Sequence, residues 1–66
     1  MKARINGDER ELADGTTVAD LLRTIGAPPA GVAVAVNERV VPGTRHDSTA
    51  LADGDRVEII RAVAGG

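Results

Sequence analysis

The apolar residues of this chain follow two rhythms. MKARI alternates, with Ala3 and Ile5 on one side and Lys2 and Arg4 on the other, which predicts a half-buried strand. Asn6-Gly7 is a strong hairpin signal. ERELAD reads as the return strand, with Leu12 as its main inward residue and Asp14-Gly15 as a second turn. The period then changes. Val18, Leu21, Leu22 and Ile25 are spaced i, i+3, i+4, i+7, one face of a helix. Thr17 suits the N-cap. Asp20, three residues later, is a short capping-box acid that also favours the positive helix N-terminus. Gly26 supplies the stop, and Pro28 and Pro29 forbid continuation.

The period of two returns in GVAVAVNERVVP. Val32, Val34 and Val36 share one face and Ala33 and Ala35 the other, as in a central strand. Asn37-Glu38 turns it into a short partner around Val40 and Val41, ended by Pro42 and Gly43. TRHDSTA is polar and reads as loop, LADGD as a turn, and RVEIIRAV as the last strand. One amphipathic helix buries its stripe against only one sheet face. The predicted fold is therefore α+β: a small mixed sheet wrapped around one helix, the β-grasp or ubiquitin-like arrangement. Residues 1–66 are expected to form a single domain, with 63–66 as a flexible tail.

Composition narrows the function. The chain has 66 residues, no Cys, Phe, Trp or Tyr, and a formal net charge of -2. The core must come from Val, Leu, Ile and Ala, and no thiol is present to act as nucleophile, metal ligand or staple. Without aromatic platforms or a basic stripe, neither nucleic acid nor an anionic membrane surface is an expected partner. No apolar run is long enough to span a bilayer and the N-terminus does not resemble a signal peptide, so the expected location is the cytoplasm.

Catalytic chemistry has little to work with. His46 is the only histidine; beside Asp47 in a polar stretch, it reads as an exposed loop residue rather than a base or ligand. Asp53 and Asp55 read as turn formers rather than calcium ligands. What remains is the end of the chain. Gly65 and Gly66, after Ala64, form a slender arm able to enter a narrow channel, and no side chain shields the Gly66 carbonyl. Its carboxylate is unreactive until activated, most simply by ATP as an acyl-adenylate. In the last strand, alternation puts Val57 and Ile59 inward and Glu58, Ile60 and Ala62 outward. Ile60 is a large apolar residue on the nominal solvent face. It is a candidate anchor for a partner, with Ala33 and Ala35 widening the patch if their strand is adjacent, and Arg56 and Arg61 steering the approach.

Five segments resemble one family: ING, TVADLL, VAVAVNERVVP, LADGDRVEII and AVAGG. They cover essentially the whole chain in order and are similar to ThiS, the sulfur carriers of thiamine biosynthesis within the ubiquitin-like sulfur carriers. The resemblance implies a carrier rather than an enzyme. Gly66 would be the modified residue, adenylated and then converted to a thiocarboxylate, with Gly65 as its neck. It implies no bound cofactor, ATP being used by the partner. It also implies a ThiF-like adenylyltransferase, a ThiG-like thiazole synthase and a sulfur donor system as partners. Relatives often carry a tryptophan after the VVP segment, where His46 is the nearest candidate here. Molybdopterin-pathway relatives often carry an aromatic and a proline pair before the tail, and IIRAVAGG has neither, which favours the thiamine pathway. Carriers for molybdopterin, cysteine or secondary metabolites, protein-conjugating modifiers, and a small interaction module with an inert tail are the other readings.

Overall fold

The computed structural model describes residues 1–27 and 31–61. Pro28 and Pro29, and the candidate site residues Ala62, Ala64, Gly65 and Gly66, lie outside the described residues. The elements run β1 (Lys2–Ile5), β2 (Asp8–Glu11), α1 (Val18–Ile25), β3 (Val32–Val36), β4 (Arg39–Val41), a 3-10 turn (Gly43–Arg45) and β5 (Arg56–Arg61). The strands form one sheet in the order β2-β1-β5-β3-β4. β1 and β5 run parallel, and the other neighbouring pairs are antiparallel. This is the β-grasp architecture, with β5 in the middle of the sheet and β3 beside it.

The helix forms where its period and caps demand. Thr17 Oγ1 accepts from the Asp20 amide at 3.1 Å, and the Asp20 carboxylate accepts from the Thr17 amide at 3.2 Å. Together these bonds complete the capping box and satisfy donors the first helical turn leaves unpaired. At the other end Gly26 adopts φ 75°, a left-handed conformation that ends the helix without a Cβ penalty. Val18, Leu21 and Leu22 are buried and Ile25 packs at the margin. They meet Ala3 and Ile5 of β1, Val34 of β3, and Val57 and Ile59 of β5, with Leu51 and Ala27 closing the ends. Full burial of such a side chain stabilises by about 1.5–3 kcal/mol, so this aliphatic set is the main source of stability.

Three features depart from the sequence expectation. β2 ends at Glu11, with all four residues exposed, so Leu12 lies just past the strand and packs only partly on the core. The register explains this. Ile5 pairs with Asp8 across a two-residue turn, and Lys2 pairs with Glu11, exhausting β1 before Leu12. The stretch read as loop contains the 3-10 turn, and Ala50 makes a bridge to Thr17. Above all, His46 is not an exposed loop residue. It is 7% exposed, and its Nε2–H donates to the Val41 carbonyl at 3.0 Å. Its own carbonyl accepts from Ala19 in the first turn of α1 at 3.0 Å. A polar ring buried with a backbone partner, on a segment that also caps a helix amide, is a structural residue. Beside it lies a hollow of about 270 Å³ lined by Ala19, Leu22, Arg23, Ala27, Gly43 and Asp47.

Candidate functional site

The last strand decides what the outer face of the sheet presents. Its inward residues, Val57 and Ile59, are buried against α1, so Glu58 and Ile60 point away from the helix. Register then assembles their neighbours. Ile60 pairs with Ala33, Glu58 with Ala35, and Ala35 with Val40. Paired residues share a face. Three adjacent strands therefore bring Ile60, Ala33, Ala35 and Val40 together on the side of the sheet that, among the described residues, no helix covers. Ile60 is 62% exposed and Val40 is 74% exposed, the only large apolar side chains so open among the described residues. The two alanines between them keep the surface low, and the Ile60 side chain stands above it.

Charged groups rim the patch. Arg56, on the same face of β5 as Ile60, lies 3.7 Å from Glu38. Both are well exposed, so this pair contributes little to stability and leaves the charges available for steering. Arg61 is exposed, but alternation places it with Ile59 and opposite Ile60, paired with Val32. The expected docking residues thus separate: Ile60 is on the open face, Arg61 is on the other parity at the strand's end, and Ala62 is beyond the described residues. Sequence reasoning missed Val40. The signal was present, because two consecutive valines in a strand cannot both face inward.

Glu58, paired with Ala35, sets one carboxylate beside these apolar residues, and no cluster of metal-ligating side chains occurs among the described residues. What the patch offers is an exposed apolar area whose most prominent residue, Ile60, is six residues before Gly66. The perturbed titrations lie elsewhere. Asp20 is held below the usual carboxylate value by the Thr17 backbone and hydroxyl bonds, assisted by Arg23. The Met1 ammonium is raised by its bond to Glu11, with Asp14 adding to the effect. Both are structural.

The family model that matches this chain is the ThiS family, over residues 3–66. The chain belongs to the ThiS family. The ThiS sulfur carrier protein of Escherichia coli is 32% identical over 66 residues, and the match covers 100% of both chains. A crystal structure of a thiamine biosynthesis protein, ThiS, from Geobacter metallireducens superposes with a TM-score of 0.84 at 30% identity, again over 100% of each chain. A thiazole synthase of Paramagnetospirillum magneticum is 39% identical over 66 residues, but the ThiS-family chain spans only 20% of that protein's length. The Escherichia coli protein is a sulfur carrier, and the Geobacter metallireducens structure has the fold seen here. Among the described residues no helix is long and apolar enough to cross a membrane.

Proposed function

We propose that this protein carries sulfur on its terminal glycine for thiazole formation. The observation that carries the reading is the end-to-end match to a ThiS sulfur carrier, which includes Gly65 and Gly66. In the proposed reaction the Gly66 carboxylate attacks the α-phosphorus of ATP in a ThiF-like adenylyltransferase. The bond to pyrophosphate breaks and an acyl-adenylate forms. A hydrosulfide equivalent from the sulfur donor system then adds to the carbonyl carbon, AMP leaves, and a thiocarboxylate remains. A ThiG-like thiazole synthase takes up that sulfur. The carrier contributes no acid, base or cofactor to these steps. Its contribution is a side-chain-free terminus and the Ile60, Ala33, Ala35 and Val40 surface that docks it. The match to one fifth of a thiazole synthase supports that enzyme class as the acceptor.

The test is intact mass. Incubated with the cognate adenylating enzyme, ATP and a sulfur donor, the protein gains the mass of a sulfur less an oxygen, and fragmentation places it on Gly66. Deleting Gly66, or adding one residue after it, abolishes the gain. An equal yield from either altered protein overturns the carrier reading.

A further inference from the structure

Two asparagines hold β5 from opposite sides. Asn6 and Asn37 each begin a two-residue hairpin turn, at φ 50° and φ 51°. On the β3 side, the Asn37 amide donates to the Arg56 carbonyl at 2.7 Å, and its Oδ1 accepts from the Arg56 amide at 2.9 Å. Its Nδ2 donates to Asp55 at 2.9 Å. On the β1 side, the Asn6 amide donates to the Val57 carbonyl at 2.9 Å. Its side chain reaches further along: Oδ1 accepts from the Ile59 amide at 2.8 Å and Nδ2 donates to the Ile59 carbonyl at 3.2 Å. The two turns make similar bonds at different ends of the strand.

The difference follows from where β1 stops. Its parallel pairing with β5 consists of Arg4 with Arg56 and Ile5 with Val57. The chain then turns away into β2. Beyond that point the Ile59 amide and carbonyl face a side with no strand among the described residues, although the Ile59 side chain is buried. Backbone groups in such a position need partners. The Asn6 carboxamide, one donor and one acceptor, stands in for the missing strand. From the β3 side, Ala33 pairs with the next residue, Ile60.

We infer that Asn6 is a positioning residue for partner docking: acting through Ile59, it fixes in the free protein the end of β5 that presents Ile60. The inference rests on the carrier reading above. Without the clamp, the end of the strand must be ordered when the partner binds, and ordering deferred to binding weakens the apparent affinity. Once docked, the partner holds the strand. The loss therefore falls on the KM for the carrier and not on kcat. Asn37 is the internal control, since within β5 it bonds only the backbone of Arg56, at the entry to the strand and four residues from Ile60.

Asn6→Gly and Asn37→Gly both keep the left-handed turn residue permissible and both delete the side-chain bonds. Amide hydrogen exchange on the free proteins is measured first. Asn6→Gly is expected to raise exchange at Ile59 about tenfold, and Asn37→Gly to do the same at Arg56. ATP–pyrophosphate exchange with the cognate adenylating enzyme is then measured well below both melting temperatures. Asn6→Gly is expected to raise the carrier KM about fivefold with kcat unchanged, and Asn37→Gly to leave both within about twofold. Equal KM changes in the two variants, or unchanged exchange at Ile59, overturn the assignment. If the unaltered protein supports no exchange with that enzyme, the carrier reading fails and the docking role falls with it. The Ile59 measurement then still reports whether the clamp exists.

Discussion

Ile59 and Ile60 are neighbours of the same residue type, and the sheet gives them opposite tasks. Ile59 faces α1 and is buried among Val57, Val34 and the helix leucines, while Ile60 faces away and is 62% exposed. The same contrast holds for the two faces of the whole sheet. The inner face meets a helix whose stripe matches it. The outer face is covered by no other element among the described residues, and beside the charged Arg56 and Glu58 it carries Ile60 and Val40 with Ala33 and Ala35 between them. One strand thus closes the core with alternate side chains and turns the others, Ile60 among them, to the open face. In a domain this small, that economy means the proposed docking role can be tested apart from folding.

The largest expected effect breaks the pair apart. Ile59→Ala removes packed methyl groups from the core and is expected to lower stability by about 2–5 kcal/mol. Ile60→Ala is expected to stay within about 0.5 kcal/mol. Denaturant unfolding of the two variants checks both numbers, and similar losses would show that the two faces are not distinct. A middle-sized effect belongs to His46. His46→Ala leaves the Val41 carbonyl without its side-chain donor and opens space beside Leu22, for an expected loss of about 1–3 kcal/mol by the same measurement. An exposed loop histidine would give almost no change.

The smallest effect is in the pH dependence. The capping-box bonds lower the Asp20 pKa below its reference value of 3.8. A depressed folded-state pKa contributes stability that is present above the unfolded value and is lost as pH falls through the folded one. Acid unfolding of Asp20→Asn is therefore expected to be less steep below pH about 3.8 than that of the unaltered protein. Superimposable acid limbs would mean that the carboxylate makes no difference to the helix start.

Which parts of this arrangement are legible in the sequence follows from the range of the forces involved. The helix is legible because its stripe, its Thr17 and Asp20 box and its Gly26 stop lie within a few residues of one another. The alternation in β5 places Ile59 and Ile60 without any knowledge of the fold. His46 is not legible, since its flanks are polar and its burial depends on Val41 and Ala19 arriving from other elements. The Asn6 clamp is less legible still. Asn6-Gly7 announces a turn, but the partner of its side chain is 53 residues away. Val40 lay between these cases: its outward direction follows from Val41 facing in, but its place in the patch needs the register of β4 on β3.

The division of labour on β5 is tested most directly by Ile60→Asp. The substitution adds a charge to the open face and, in the docked complex, would bury that charge without a partner, at a cost of a few kcal/mol. The melting temperature of the free protein and its affinity for the cognate adenylating enzyme are measured side by side. An unchanged melting temperature with binding weakened by tenfold or more, about 1.4 kcal/mol, is the predicted result. A melting temperature that collapses would contradict the assignment of faces, and normal binding with normal stability would contradict the docking surface.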